Sequence, residues 1–385
     1  MNDNQLFSLY IHIPFCAAKC SYCDFYSRKG TDDEIRLYCN ALLKELDTCC
    51  STYNLDNFKV SSIFFGGGTP SILNPHIAEI VCNGVKDRVT LSDNAEWTFE
   101  CNPDSFSTTL AETLYACGVN RLSFGVQSLH DKELRALGRI HTAQQALDIL
   151  QSDILSKFSS VNADLMYGIP YQSVESFLVS LQAICSISTI KHLSVYELTL
   201  CENTPFGKMR SSLQLPDEPI IETMTSRLFS YLHANGFEHY EISNYAKSGF
   251  RCRHNESYWN HSNYIGLGAS AHSFFNRTRW ANVADIEHYC AQIQEQGSAT
   301  DFSEYIDNQK LASEMIFLGL RRADGINEVH YQNSTGQIFA SDNNQPLLDK
   351  YVKSGLLTYT APLWKPTEKG MLFADGMASS LFHTI

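Results

Sequence analysis

Ser8-Leu9-Tyr10-Ile11-His12-Ile13-Pro14-Phe15-Cys16-Ala17-Ala18-Lys19-Cys20-Ser21-Tyr22-Cys23-Asp24-Phe25 is the stretch from which the fold is read. Apolar and polar residues alternate from Leu9 to Ile13, which predicts a short buried strand, and Pro14 ends it. Three cysteines follow at C-x3-C-x2-C spacing, in a loop short enough to aim all three sulfurs at one point. Three thiolates at one point suit a metal. A structural zinc site is closed by four ligands and a [4Fe–4S] cluster is usually held by four cysteines, so three leave one iron open. Two other readings fit the same residues: a zinc loop completed by His12, or three core cysteines.

Outward from that loop, strand and helix patterns alternate. Asp33 to Thr48 carries Ile35, Tyr38, Leu42, Leu43 and Leu46 at the spacing of an amphipathic helix. Val60 to Phe65 is a predicted strand that ends in Gly66-Gly67-Gly68-Thr69-Pro70, where the glycines let backbone approach a ligand. Trp97 to Cys101, Asn120 to Val126, Val161 to Tyr167 and His192 to Leu198 read as further strands. Leu110 to Ala116, Ala143 to Leu155 and Val174 to Ile184 read as helices between them. Alternating units of this kind build a parallel sheet, open or curled into a barrel. Polar residues stand at successive strand ends: Gly66 to Thr69, Glu100, Asn102, Gln127, Asp164 and Glu197. Their convergence on one face favours a curled sheet, a partial (β/α)6 barrel.

From Pro216 the pattern changes. Ile220 to His233 reads as a helix, Glu238 to Ser243 as a short strand, and Arg251 to His272 is rich in His, Asn, Tyr and Gly. Beyond a boundary near residue 300, a helix from Gln309 to Leu320 leads into a tail whose short helix, Leu-Leu-Thr-Tyr-Thr strand and final helix suggest a small, mainly helical, winged-helix-like domain. Its basic face is thin, so a lid over the barrel mouth is expected rather than a DNA reader. The division is thus 1–215 for the barrel with the cluster and ligand site, 216–300 for an extension, and 301–385 for the cap.

The 385 residues are 44% hydrophobic, enough for a sizeable core, and 42 acidic residues against 29 basic ones give a net charge of −13. A phosphate backbone would be repelled, which argues against nucleic acid. Met1 to Phe7 has no cationic or long apolar segment, and no stretch matches a spanning helix. The thirteen cysteines are an odd number and mostly scattered, which fits a reducing cytoplasm better than a disulfide-bonded setting.

With an aromatic, Tyr22, between its last two cysteines, the loop resembles the signature of the radical S-adenosylmethionine (SAM) superfamily. That resemblance implies a [4Fe–4S] cluster on Cys16, Cys20 and Cys23, with the amino and carboxylate groups of SAM on the fourth iron. The Gly-Gly-Gly-Thr-Pro element, the Phe99-Glu100-Cys101-Asn102-Pro103 strand end, Leu122-Ser123-Phe124-Gly125-Val126-Gln127-Ser128, Gly138-Arg139 and Asp164-Leu165-Met166-Tyr167-Gly168-Ile169-Pro170 narrow it to the HemN-like branch, which holds the anaerobic coproporphyrinogen III oxidases and the HemW-type haem chaperones. Matched motif to motif, the implied SAM contacts are Tyr10, Tyr22, Gly67, Gly68, Thr69, Glu100, Gln127, Arg139 and Asp164. Arg139 is the best motivated physically, because a guanidinium forks onto a carboxylate.

Two departures separate the subgroups. The oxidases carry a fourth cysteine two positions after the third, where this chain has Phe25, and a long N-terminal extension, where this chain has only fifteen residues before Cys16. His254-Asn255-Glu256-Ser257-Tyr258-Trp259 is similar to the H-N-x-x-Y-W motif of the HemW type. A neutral imidazole suits haem iron, aromatic rings stack on a macrocycle, and Arg251 or Arg253 pairs with a propionate. His254 is therefore the expected haem ligand, with Cys252 the alternative. The resemblance implies a cytoplasmic haem chaperone that passes haem to an acceptor haemoprotein, respiratory and membrane-bound, with an electron donor the sequence does not identify. The alternative is oxygen-independent coproporphyrinogen III dehydrogenase, or a radical enzyme acting on another substrate.

Overall fold

The computed structural model describes residues 6–382. Most of the Met1 to Phe7 stretch and the end of the tail therefore lie outside the described residues. A twelve-stranded sheet dominates, in the order β12-β11-β10-β9-β1-β2-β3-β4-β5-β6-β8-β7. Its centre is β1 (Leu6–Ile13), β2 (Lys59–Gly67), β3 (Leu91–Cys101), β4 (Arg121–Gln127), β5 (Ser160–Tyr167) and β6 (Ile190–Glu197). These pair in parallel with their sequence neighbours, as successive βα units require. The sheet is open, so the six units make a partial barrel.

Local chemistry sets the crossover helices. Asp32–Tyr53 starts in a capping box in which the Thr31 side chain accepts from the Glu34 amide and Glu34 reaches back to the Thr31 N–H (2.7 Å). Ala143–Leu150 and Val174–Cys185 begin in the same way at Thr142 and Ser173. Thr108–Cys117 and Asp131–Leu137 each end on a left-handed glycine, Gly118 and Gly138. The helix expected from Ala143 to Leu155 stops at Leu150, and Asp153–Lys157 forms a separate 3-10 turn.

The extension is more strand-rich than its sequence suggests. β7 (Glu238–Glu241) and β8 (Asn244–Ala246) form a hairpin antiparallel to β6. On the other flank β9 (Tyr264–Leu267) lies parallel to β1, and β10 (His272–Phe275), β11 (Thr278–Asn282) and β12 (Thr300–Tyr305) continue antiparallel. Glu45 fastens this flank: its carboxylate accepts from the Gly268 amide (2.8 Å), Asn282 Nδ2 (2.6 Å) and the Tyr289 hydroxyl (2.6 Å).

The main core joins both faces of the sheet to its helices, and a second core gathers Ile316, Leu320, Tyr331, Phe339, Leu348, Trp364 and Leu381. That second core belongs to a C-terminal unit of helices around β13 (Ile326–Asn327), β14 (Leu357–Thr360) and β15 (Leu363–Pro366). It meets the barrel at the β7–β8 turn, where the Ile242 amide donates to Arg321, and at β11, where Arg279 grips Glu314 through two bonds of 2.8 Å. Among its described residues none lines the cavity at the cysteine end, where the sequence suggested a lid. Among the described residues no helix is long and apolar enough to cross a membrane.

Candidate functional site

The cysteine loop is held by its own backbone. The Cys16 amide donates to Arg28 (3.0 Å), Arg28 to Pro14 (2.9 Å), and Ser21 to Leu137 at the end of helix Asp131–Leu137 (3.1 Å). The Gly-Gly-Gly-Thr turn packs directly on it, with Gly68 donating to Ile13 (2.9 Å) and Thr69 to Phe15 (2.8 Å). These glycines are needed for approach to the chain itself: a Cβ on Gly68 would stand 2.7 Å from the Phe15 carbonyl oxygen, and one on Gly67, at φ +111°, 2.5 Å from the His12 ring. The Thr69 hydroxyl then donates to Cys16 Sγ (3.4 Å).

Cys16, Cys20 and Cys23 line one cavity of about 450 Å3 at the carboxyl ends of the strands. With them stand Tyr22, Gly67, Gly68, Thr69, Glu100, Gln127, Arg139 and Asp164. All three thiols are free of disulfides. Among the described residues no three His, Cys, Asp or Glu side chains are gathered closely enough to hold a single metal ion. Three disulfide-free thiols on one cavity wall are the soft donors an iron–sulfur cluster takes, so the donor set fits a cluster. His12 is occupied elsewhere, with Nδ1 against the Tyr10 hydroxyl (2.9 Å) and Nε2 against the Tyr26 carbonyl (3.3 Å). Cys101 borders the cavity from β3, buried and with its thiol directed to the Phe99 carbonyl (3.7 Å). Phe25 stands 65% exposed at the rim of the cavity.

Arg139 follows the left-handed Gly138, and that turn swings its guanidinium under the loop. Nη2 donates to Asn102 Oδ1 (2.8 Å) and the Gly125 carbonyl (2.6 Å), and Nη1 points at Cys20 Sγ (3.6 Å). Glu100 accepts from the Gly67 amide (3.2 Å). Burial, reinforced by the charge of Asp164, pushes the Glu100 carboxyl up to about 8. Burial raises Asp164 as well, against hydrogen bonds from Ser194 and Asn162. An acid lifted this far, with a second acid raised beside it, favours a cationic guest, whose charge would offset the cost of ionising them.

Tyr10 and His254 face a second, adjoining space of about 290 Å3, which shares Phe25, Gly67, Glu100, Ser123, Asp164 and Tyr196 with the first. His254 lies on helix Arg253–Trp259, fully buried. Nδ1 meets the Ser62 hydroxyl (3.0 Å), Nε2 meets the Tyr258 hydroxyl (2.8 Å), and the ring stacks on Phe64 at 5.0 Å. Burial, with the Arg121 charge adding, lowers it to about 3, so it is neutral. Cys252 is buried beside Glu96 (3.5 Å) and its thiol is pushed up by burial. Arg251 is saturated by Glu238, Glu256 and Asp324, while the Arg253 guanidinium donates to the Asn94 carbonyl.

Below the strand ends a polar ladder runs inside the barrel, unmarked by any strand-end motif. Asn162 Nδ2 donates to Ser123 Oγ and to Asp164 Oδ1, both at 2.7 Å, and its Oδ1 meets His192 Nδ1 (2.6 Å), whose Nε2 reaches the Tyr240 hydroxyl (2.7 Å). The signal was present as a period of two: Arg121 and Ser123, Asn162 and Asp164, His192, Ser194 and Tyr196 alternate along strands that are otherwise apolar.

Comparison with known proteins agrees with this geometry. The radical SAM superfamily profile matches residues 10–184, and the HemN C-terminal domain profile matches residues 306–373. The chain is 35% identical over 377 residues to the protein named haem chaperone HemW in Escherichia coli K12, covering 96% of each. It is 34% identical over 335 residues to the haem chaperone HemW of Bacillus subtilis, covering 86% of this chain and 87% of that one. A Mus musculus protein named radical S-adenosyl methionine domain-containing protein 1, mitochondrial, is 35% identical over 344 residues, covering 86% and 76%. The structure of coproporphyrinogen III oxidase HemN from Escherichia coli, titled a radical SAM enzyme, shares the fold: TM-score 0.86, 22% identity, 100% of this chain and 91% of that one. The chain thus belongs to the radical SAM superfamily. Within it, the chain is a member of the HemN-like branch and of its HemW-type family.

Proposed function

We propose that this chain is a haem chaperone that holds a [4Fe–4S] cluster and SAM at the carboxyl ends of the barrel strands, binds haem, and passes it to an acceptor haemoprotein, respiratory and membrane-bound, from the cytoplasm. The observation that carries the reading is the single cavity shared by Cys16, Cys20, Cys23, Glu100, Arg139 and Asp164, together with relatives named haem chaperone HemW.

Cys16, Cys20 and Cys23 would hold the cluster. When bound, the cluster and SAM supply one-electron cleavage of a sulfonium C–S bond. Glu100 and the Gly67–Gly68 turn would take the ammonium of SAM and Arg139 its carboxylate, Asp164, Gln127 and Tyr22 would supply the remaining wall, and Thr69 tethers Cys16. Tyr10 stands one layer below and orients His12 under Gly67. With both ring nitrogens already engaged, His254 serves to anchor helix Arg253–Trp259 rather than to ligate iron.

The competing activity is oxygen-independent coproporphyrinogen III dehydrogenase. Anaerobically reconstituted protein given coproporphyrinogen III, SAM and a reductant is expected to form no protoporphyrinogen, while haem titration gives a saturable, shifted Soret band. Sustained turnover would overturn the chaperone reading.

A further inference from the structure

Gln127 ends β4 in a conformation its residue type seldom takes. Its φ is +67°, and the Ser128 amide donates back across it to the Val126 carbonyl at 2.9 Å. A bond from residue i+2 to residue i over a left-handed centre is the rarer, strained form of the three-residue turn. Glycine would adopt it freely, yet a glutamine stands here with its side chain on the wall of the cysteine cavity. Strained backbone persists only where the surrounding structure over-determines it.

Two buried side chains do so. The Ser128 hydroxyl donates to Glu133 (2.7 Å), a buried carboxylate that also accepts from the Ser176 hydroxyl (2.5 Å) and Gln172 Nε2 (3.2 Å). On the other side of the turn lies His141, 3% exposed, with Nε2 against the Val126 carbonyl at 3.2 Å. A carbonyl only accepts, so Nε2 carries the hydrogen and donates.

We propose that His141 is a positioning residue of the cysteine-end site: it holds the Val126–Ser128 turn in its strained form and so aims the Gln127 amide at bound SAM. The inference rests on the SAM reading and adds to it a residue that does not itself line the cavity.

Arg139 and His141 grip the end of β4 together. Arg139 Nη2 donates to the Gly125 carbonyl and His141 to the next one along, Val126, while Ile140 between them stands 57% exposed. The loop after β3 backs both side chains. Asn102 Oδ1 accepts from Arg139 at 2.8 Å, and Asp104 Oδ1 lies 3.7 Å from His141 Nδ1, within ion-pair reach but beyond hydrogen-bond length. Burial would raise the Asp104 carboxyl, but the neighbouring His141 and the Arg139 charge hold it below its ordinary range. A charged carboxylate on the Nδ1 side keeps the ring turned with Nε2 toward Val126.

What the turn achieves is the place of the Gln127 side chain. Its Nε2 lies 3.1 Å from where a Cβ on Gly125 would stand, and Asn102 Oδ1 and Arg139 Nη2 lie 2.8 and 3.3 Å from the same point. Amide, asparagine and guanidinium thus form one polar knot on the cavity wall. Relaxing Gln127 to negative φ would redirect its Cβ and carry the amide out of that knot, so a ligand would have to restore the turn in order to bind.

The test is SAM binding by the anaerobically reconstituted full chain, measured by calorimetry, for His141→Met and His141→Gln, each alone and with Gln127→Gly. Methionine fills a similar volume without a donor, whereas glutamine keeps one. Gln127→Gly loses the amide and sets a weaker baseline, but its turn no longer needs holding. His141→Met is expected to weaken SAM binding by about tenfold with bound iron unchanged, and His141→Gln to recover most of that loss. Once residue 127 is glycine, His141→Met should add less than about twofold. Equal loss in His141→Met and His141→Gln, or the full loss carried into the Gln127→Gly chain, would show that His141 acts by packing alone: the inference falls and the SAM reading stands. A His141→Met chain that melts far below His141→Gln overturns it as well, by making the contact a requirement of the fold. If the reconstituted wild-type chain binds no SAM, the SAM reading falls and the inference with it.

Discussion

Glu100 concentrates the electrostatics of the site. Its ordinary value is 4.5 and burial lifts it to about 8, and Glu45 and Glu241 are lifted to about 7. A native state that keeps a proton the unfolded chain has released loses stability as pH rises between the two values. The buried histidines act oppositely, His12 and His239 being lowered to about 4 and His254 to about 3 from 6.5, but their contribution is complete above pH 6.5. Between pH 6.5 and 8 the carboxyls dominate, opposed in part by Cys117, whose thiol the hydrogen bond from Cys82 lowers to about 7. Denaturant unfolding of the ligand-free chain should therefore show stability falling by about 1 to 2 kcal/mol across that window, with a flatter profile in Glu100→Gln. An equal slope in the variant would refute the assignment. If a cationic guest ionises Glu100, SAM binding at pH 7 should release a proton, detectable by calorimetry in buffers of different ionisation enthalpy, and Glu100→Gln should abolish the release. Cys16→Ala, Cys20→Ala and Cys23→Ala should each lose most bound iron and sulfide after anaerobic reconstitution; full retention in any one would remove that thiol from the site. At this scale the sequence was most informative where spacing is short: the three cysteines and the glycine turn are neighbours along the chain. The ladder from Asp164 to Tyr240 was hidden because its members meet across strands, up to 48 residues apart at His192–Tyr240.

Among the elements, the six parallel strands were readable because each is a short apolar run closed by a polar or glycine turn. The strands from Tyr264 to Tyr305 were not. They span four to six residues, and Asn276 and Arg277 make the β10–β11 turn at positive φ without glycine. What fixes this flank is tertiary: Glu45 on the first helix collects three donors from it, and Tyr38 passes its hydroxyl hydrogen to the His12 carbonyl while accepting from Ala269, both at 2.9 Å. Glu45→Ala would leave those donors buried without an acceptor and is expected to destabilise the chain by about 3 kcal/mol or more. An unfolding midpoint equal to that of the wild type would show that the flank is held by packing alone. The end of the predicted helix at Leu155 was misplaced for a local reason: Ser152 turns the chain and Asp153–Lys157 tightens to 3-10 geometry before β5.

Across the whole molecule, the cysteine loop hangs from backbone hydrogen bonds above a core that does not depend on it. A Cys16→Ala/Cys20→Ala/Cys23→Ala triple variant should keep its far-ultraviolet dichroism and melt within a few degrees of the ligand-free wild type; gross unfolding would make the cluster structural. The C-terminal unit was legible as a small helical domain, but its position was not, because nothing in a linear pattern says which end of a barrel a later segment will meet.

Helix Arg253–Trp259 is only seven residues long and is shared by two compartments: His254, Asn255 and Tyr258 line the space beside Tyr10, while Arg253, Glu256 and Ser257 line a chamber at the other end of the strands. Its polar side chains alternate between them because neighbours along a helix point roughly 100° apart. A rigid rod about 10 Å across has no private motions of its two sides. Whatever tips it on one side is registered on the other, so the two compartments are coupled without any longer relay.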